Sequence, residues 1–526
     1  MSLFKSIAAF GSITLISRVT GFVRDMFLAN ILGAGSVSDA FFVAYKLPNL
    51  FRNLFAEGAF TSAFVPMLSH KMVSEGNQSA IKFASKTVSI LTIILCFLIL
   101  FMEVIMPYLI PLLAPGFESK GGDVALATTL SRITFPFLLF ITIVSFQSGI
   151  LNAFGRFAAP AAASIILNLT MIASVFIIVP FTLTPAHGLA WSVSIAGILE
   201  IIWLSYFLKR ENIKIRPNLN FIKLLSDSEI KTLFKRIAPG VLGAGVYQIN
   251  MVIDTILVSF VGAGAISWLY YANRLQQLPL GVVGASISVA LLPILSKSIK
   301  SENQEEATRT QNKAVEYAAL LSIPAAIGLI ILAEPMINIL FQHGQFGTHE
   351  TIMTAKAVIA YSISLPVYVL VKSLTPNFFA RGDTKTPVKY SIVALITNII
   401  FSLLLIKPFG HVGIAYATSI AAFISLGQYL WGLHKRNYWR LNHALLIKIL
   451  KIIFSSGCMG ILIIVSEKIL NYNFGNWLQL NWMLKFPIFV SLCFLGMISF
   501  VLVGKISGAI NIQEILSMVK RKKTHG

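Results

Sequence analysis

Residues 11–33 read GSITLISRVTGFVRDMFLANILG, an apolar stretch interrupted by Arg18 and Arg24. Residues 39–66 read DAFFVAYKLPNLFRNLFAEGAFTSAFVP and carry further charges, among them Asp39, Lys46 and Arg52. Each stretch is long enough to cross a bilayer, which takes about 20 mostly apolar residues. A charge at the membrane centre costs at least about 2.5–3.5 kcal/mol on insertion scales. The two stretches therefore predict helices whose charges face one another or a water-filled cavity.

The composition is that of a polytopic membrane protein. Of the 526 residues, 56% are hydrophobic and 12% are charged, whereas soluble domains have about 25% charged residues. The net charge of +21 collects in short loops on one side, and no basic run is interleaved with exposed aromatics. We therefore expect no nucleic-acid partner. The three cysteines lie in apolar segments without metal or disulfide spacing.

Apolar stretches between polar loops predict an all-α protein of about fourteen transmembrane helices. The predicted spans are 7–33, 37–69, 87–113, 124–153, 158–183, 187–208, 237–261, 266–296, 314–341, 352–379, 388–406, 411–433, 444–466 and 483–504. With both termini in the cytoplasm, about thirty of the 42 Lys and Arg residues fall in inside loops, as the positive-inside rule requires.

The two halves of the chain resemble each other. LPNLFRNLFAEGAFTSAFVPMLS (47–69) aligns with RLQQLPLGVVGASISVALLPILS (274–296), and the same offset aligns NAFGRFAAP with FFARGDTKTP. The similarity predicts two parallel six-helix lobes with a site between them, a plan typical of secondary transporters. The predicted division is 1–210 (first lobe), 211–236 (linker), 237–434 (second lobe), 435–505 (two extra helices) and 506–526 (basic cytoplasmic tail).

The predicted site is cationic. The duplication sets Arg274 beside Leu47, next to Lys46, so both lobes present a cation from their second helix. Arginine's planar donor fork suits paired phosphate oxygens. We therefore predict that a phosphate or diphosphate binds to Arg18, Arg24, Arg52 and Arg274. We expect supporting or gating roles for Asp25, Asp39, Lys46 and Glu57.

A structural alternative remains open for these charges. The arginines could snorkel to the membrane surface or form ion pairs with Asp25, Asp39 and Glu57, although the cations outnumber these acids. Asp25 lies seven residues after Arg18, nearly on the same helix face, where it would be a partial counter-ion. Asp254 is a lone acid that would hold Na⁺ or a proton, or pair with Tyr247 or Asn250.

Enzyme motifs are missing from the sequence. It contains no G-x-x-x-x-G-K-[ST] phosphate loop, no H-E-x-x-H and no paired-cysteine metal spacing. We expect a transporter rather than an enzyme, with no cofactor. Coupling to Na⁺ or to the membrane potential stays open.

The residues quoted so far resemble one family. SRVTGFVRDMFLANILGAGSVSDAFFVAYKLPNLFRNLFAEGAFTSAFVPML (17–68) is similar to the MurJ/MviN lipid II flippases, as are WLYYANRLQQLPLGV (268–282) and FFARGDTKTPV (378–388). The resemblance implies a MATE-like fold, since the same superfamily holds the MATE drug exporters. It also implies movement of the lipid-linked peptidoglycan precursor from the cytoplasmic to the periplasmic leaflet by alternating access. It assigns functional charges to Arg18, Arg24, Asp39, Arg52 and Arg274, and it assigns the polyprenyl tail to the last two helices.

The resemblance also implies a setting. We expect a multi-pass protein of the bacterial inner membrane that acts as a monomer on lipid II, among membrane lipids and possible cell-wall synthesis partners. Two alternatives are kept: a flippase for another polyprenyl-diphosphate-linked saccharide, and a membrane enzyme acting on polyprenyl phosphates.

Overall fold

The computed structural model describes residues 3–52, 59–215, 224 and 226–510. Within these ranges the protein is helical and has no β-strand, which confirms the predicted fold class. The packing of the helices divides the chain into two compact units. The first holds Met1–Ser267 and His343–Phe346, and the second holds Trp268–Gln342 and Gly347–Gly526. This division follows packing and not the internal duplication, so the predicted six-helix lobes stay a prediction.

The helices of the first unit are α1 (Leu3–Leu32), α2 (Ser36–Arg52), α3 (Ala59–Ser74), α4 (Asn77–Leu113), α5 (Phe117–Lys120), α6 (Val124–Thr134), α7 (Phe137–Ala153), α8 (Ala158–Ile177), α9 (Pro185–Arg210) and α10 (Ser228–Ser259). A short 3₁₀ turn, Val179–Phe181, joins α8 to α9. Within this unit α9 packs on α7 and α8, α1 packs on α8, and α10 packs on α3 and α4.

Helix α11 (Ala265–Pro279) begins in the first unit and continues in the second. The other helices of the second unit are α12 (Ala285–Lys300), α13 (Gln304–Ile331), α14 (Ala333–Phe341), α15 (Thr348–Phe379), α16 (Lys385–Phe409), α17 (His411–Lys435), α18 (His443–Phe474) and α19 (Trp482–Ser507). A π-helical turn, Leu280–Gly284, connects α11 to α12. It falls in the glycine-containing stretch where the sequence predicted one continuous span.

Ten helical segments of the described chain are long and apolar enough to cross a membrane. They include α4, α8, α9, α13 and α15–α19, and one segment joins α6 to α7 as Val124–Ala153. The other four predicted crossings are 7–33, 37–69, 237–261 and 266–296, and they carry the intramembrane charges or the π-helical turn. The count of fourteen stays a prediction.

The hydrogen bond that Pro48 cannot donate within α2 is replaced by a side chain of another helix. Because proline has no N–H, the carbonyl of Ala44 loses its partner inside α2. The hydroxyl of Thr134 on α6 donates to that carbonyl at 3.0 Å. Thr134 is fully buried, so a neighbouring helix replaces the missing hydrogen bond away from water. Helix α2 therefore continues through Pro48 to Arg52.

The last two helices pack within the second unit. Trp477, Ile452, Met459 and Leu492 of this region form an apolar cluster with Ile339 of α14. Trp477 is fully buried there. The pair α18 and α19 is thus anchored to α13 and α14 by apolar contact.

We predict that Gly413→Ala destabilises the protein and that Gly427→Ala on the same helix does not. A Cβ at Gly413 would lie 2.2 Å from the carbonyl oxygen of Leu405, whereas a Cβ at Gly427 meets nothing within 4 Å. Overpacking of this kind costs about 1–3 kcal/mol, while glycine to alanine within a helix gains up to about 1 kcal/mol. Thermal unfolding of the purified protein in detergent measures both. An equal midpoint for the two variants would contradict the close packing of α16 on α17.

Candidate functional site

Arg24 lies in a buried polar cluster between α1 and α8. The residue is 4% exposed, and its Nη2 lies 2.6 Å from Oδ1 of Asp25. Its Nη1 donates to Oδ1 of Asn168 at 3.0 Å and lies 3.5 Å from the hydroxyl of Tyr45. Asp25 is 1% exposed. The guanidinium is therefore neutralised and oriented by its own unit.

Asp25 forms an ion pair with the adjacent Arg24, as the structural alternative for these arginines allowed. Both residues are buried, and the guanidinium of Arg24 also reaches Asn168 on α8. Arg18 lies on an exposed part of α1 with Leu15 and Val19. The two arginines of the first helix thus differ in environment: one is buried and paired, and the other is exposed.

Asp39 caps the start of α11. Its Oδ2 accepts the backbone N–H of Gly264 at 2.7 Å. Its Oδ1 accepts the backbone N–H and the hydroxyl of Ser267 at 2.8 and 2.6 Å. Both partners belong to the first unit, and the carboxyl is 1% exposed. A carboxylate at a helix N-terminus satisfies orphan N–H groups and is favoured by the helix dipole. Asp39 is therefore a positioning residue for this helix start.

Lys46 and Asp254 form a second polar cluster, between α2 and α10. The ammonium of Lys46 lies 3.5 Å from the hydroxyl of Thr255 and interacts electrostatically with Asp254 and Asp39. The amide of Asn250 donates to Asp254 at 3.2 Å, which is one of the two partners expected from the sequence. The side chain of the other, Tyr247, lies outside the described part. The ammonium of Lys46 therefore lies near Asp254, the acid that the sequence analysis proposed as a cation site.

Arg52 has an electrostatic partner that the sequence analysis missed. Glu200 on α9 is 1% exposed, and Arg52 is the charge that acts on it. The sequence did contain a signal for this residue, because Glu200 is the one acid inside the predicted span 187–208. With Glu200 included, the acids of the first unit match its intramembrane cations more closely than predicted. The excess of positive charge is smaller than the sequence suggested.

Arg274 belongs to the second unit. Its Nη2 donates to the hydroxyl of Tyr270 at 2.8 Å, and its guanidinium lies 4.9 Å from the centre of the same ring. The residue is partly exposed. Glu57, which was predicted to support the site, lies outside the described residues.

No group of three or more His, Cys, Asp or Glu residues that could hold a metal ion occurs in the described ranges.

Comparison with known proteins decides the family. The family described as lipid II flippase MurJ matches residues 28–482. A probable lipid II flippase MurJ of Rickettsia prowazekii (strain Madrid E) is 35% identical over 482 residues, which cover 91% of this chain and 94% of the relative. This chain belongs to the MurJ family of lipid II flippases. That confirms the resemblance seen in the sequence.

Other members and solved structures agree with the MurJ assignment. The lipid II flippase MurJ of Burkholderia cenocepacia is 32% identical over 440 residues, covering 84% of this chain and 85% of the relative. A lipid II flippase MurJ structure in an inward closed conformation matches with a TM-score of 0.78 at 27% identity, covering 94% of this chain and 98% of that one. An inward-facing multidrug MATE transporter matches with a TM-score of 0.65 at 15% identity, covering 82% and 98% of the two chains, which shows a shared fold alone.

We predict that Asp25→Asn lowers stability strongly. Removing one partner of a buried ion pair leaves an uncompensated charge and costs about 3–5 kcal/mol. The matched control is Glu103→Gln, because Glu103 lies 3.9 Å from Arg132 and both side chains are partly exposed. Exposed pairs contribute about 0–1 kcal/mol. The thermal midpoint in detergent distinguishes the two variants, and an unchanged midpoint for Asp25→Asn would show that the pair does not hold α1.

Proposed function

We propose that this chain moves lipid II from the cytoplasmic to the periplasmic leaflet of the inner membrane, with both termini in the cytoplasm. The observation that carries the proposal is membership of the lipid II flippase family over residues 28–482. The ten membrane-length helices of the described chain support a multi-pass transporter. The peptidoglycan role follows from the substrate.

The diphosphate of the substrate is the group that we assign to the arginines. Guanidinium groups bind phosphate oxygens in a forked, charge-assisted geometry. Arg18 is exposed and Arg274 partly exposed, and we propose both as direct contacts together with Arg52. Arg24 is held by Asp25 and Asn168. We propose that Arg24 reaches the substrate only in a state in which this ion pair opens.

The supporting charges would set the geometry and the driving force. Asp39 would fix the start of α11, and Lys46 would offset Asp254 without a bound Na⁺. An inside-negative membrane potential contributes about 2.3 kcal/mol per charge per 100 mV, and it would drive an anionic substrate outward. We further propose that the chain acts as a monomer and that α18 and α19 carry the polyprenyl tail.

The two alternatives differ from the proposal in what they bind or do. A flippase for another polyprenyl-diphosphate-linked saccharide would use the same arginines and would bind that saccharide in preference to lipid II. A membrane enzyme on polyprenyl phosphates would turn its substrate over. Lipid II incubated with the purified chain and recovered unchanged would exclude turnover.

We predict that Arg52→Ala and Arg274→Ala each weaken lipid II binding by roughly ten- to a hundredfold. A hydrogen bond to a charged group contributes about 1.5–3 kcal/mol, and each variant removes a forked donor. Binding is measured with fluorescent lipid II and the full chain in nanodiscs. Arg52→Lys should also weaken binding, because a point charge does not replace the fork.

The control for these variants is Arg309→Ala, which removes an exposed arginine at the start of α13. It should bind lipid II like the unmodified chain. Unchanged binding in both Arg52→Ala and Arg274→Ala, with normal thermal midpoints, would contradict the diphosphate assignment. Stronger binding of another lipid-linked saccharide would favour the first alternative.

A further inference from the structure

Glu200 is a buried acid at membrane depth to which the proposed function gives no role. It lies on α9 (Pro185–Arg210) and is 1% exposed. At about 1.5 Å per residue it stands roughly 15 Å from the C-terminal end of the helix, which is about half the thickness of the hydrocarbon core. An ionised carboxylate in such a place must be paired, or it becomes neutral.

The described charges near Glu200 lie on α9 itself and on the elements that pack against it. On α9 they are His187, Lys209 and Arg210, each at least nine residues from Glu200 along the helix. Helix α9 packs against α1, α2, α6, α7, α8 and the 3₁₀ turn. Of these elements α7, α8 and the turn contain no charged residue. The charged side chains described on the others are Arg18, Arg24, Asp25, Asp39, Lys46, Arg52 and Arg132.

Most of these side chains are engaged elsewhere. Arg24 pairs with Asp25, and Arg132 with Glu103. Arg18 is exposed on α1. Lys46 interacts with Asp254 and Asp39. Arg52 lies on α2, which packs on α9, and its charge acts on Glu200. An ionised Glu200 is therefore a counter-charge to an arginine that we assign to the substrate.

The hydrogen-bond acceptors around Glu200 favour a protonated carboxyl group on that residue. Within the described part of the chain, its Oε2 has no hydrogen-bond partner, and the same holds for Oε1 of Gln147 on α7. The amide nitrogen of Gln147 donates to the hydroxyl of Ser205, which also lies on α9. Acceptor oxygens thus outnumber donors between these two helices. A protonated carboxyl supplies a donor and needs no cation.

We propose that Glu200 positions Arg52 in the empty protein and takes up one proton when the substrate diphosphate engages that guanidinium. The inference rests on the proposed function. Two anions that share one cation at low dielectric repel each other, which favours the neutral carboxyl. The proton comes from solvent and forms an O–H bond on Glu200. Because binding takes up a proton, lipid II affinity falls as pH rises.

The test measures the pH dependence of lipid II binding to the full chain in nanodiscs between pH 6 and 8.5. We expect the dissociation constant of the unmodified chain to rise with pH, by up to about tenfold per pH unit for one linked proton. Glu200→Gln is a neutral isostere, and the rise attributable to the protein should disappear. The control Glu103→Gln removes a partly exposed acid on α4 and should keep the full slope.

The outcomes are separable. The same slope in Glu200→Gln and the unmodified chain would overturn the proposal, as would a uniform loss of affinity at all pH values, which a merely structural role predicts. Should Glu200→Gln fail to fold, Glu200→Asp retains a carboxyl and must keep a slope, and a flat profile would overturn the proposal. Lipid II binding that depends on Arg52 but does not change with pH would contradict the proton uptake and would leave the proposed function standing. No lipid II binding at any pH contradicts the proposed function as well.

Discussion

The cost of placing a charge in a bilayer governs the first unit of this protein. Arg24, Asp25 and Asp39 are buried there, and each has an opposite charge or a helix terminus beside it. Arg24 has Asp25, and Asp39 has the N–H groups at the start of α11. Lys46 lies near Asp254. These contacts tie α1 to α8 and α2 to α10. Under the proposed function, removing one member would affect both stability and substrate binding, so each test needs a control that separates the two.

The arrangement divides the arginines by accessibility. Arg24 is committed to protein partners, whereas Arg18 is exposed and Arg274 is held by one tyrosine. A site that releases its substrate on the far side of a membrane must bind an anion without trapping it. Counter-charges inside the protein serve that purpose, because they lower the net attraction for the diphosphate. Under the proposed function, Glu200 would act in this way on Arg52.

The sequence predicted the helical fold well and the contacts of the site poorly. Hydropathy places the apolar helices, because membrane length and composition constrain each span locally. The π-helical turn at Leu280–Gly284 was missed, since it breaks no apolar run. Side-chain partners such as Asn168 for Arg24 come from segments far apart in the chain. Helical spacing on α1 suggested Arg18 as a partner of Asp25, whereas the structure pairs Asp25 with the adjacent Arg24. The sequence showed Glu200 as the one acid of its predicted span, but it did not show that Arg52 is its electrostatic partner.

The most direct test of the central claim is the leaflet distribution of lipid II in cells that depend on this chain. The native flippase of these cells is depleted. Lipid II exposed to the periplasm is then measured with an externally added, membrane-impermeant probe. With the unmodified chain present, lipid II should remain accessible outside. With the Arg52→Ala variant, expressed at the same level, lipid II should accumulate in the cytoplasmic leaflet. Equal outside accessibility with the variant, or accumulation inside with the unmodified chain, would contradict the account.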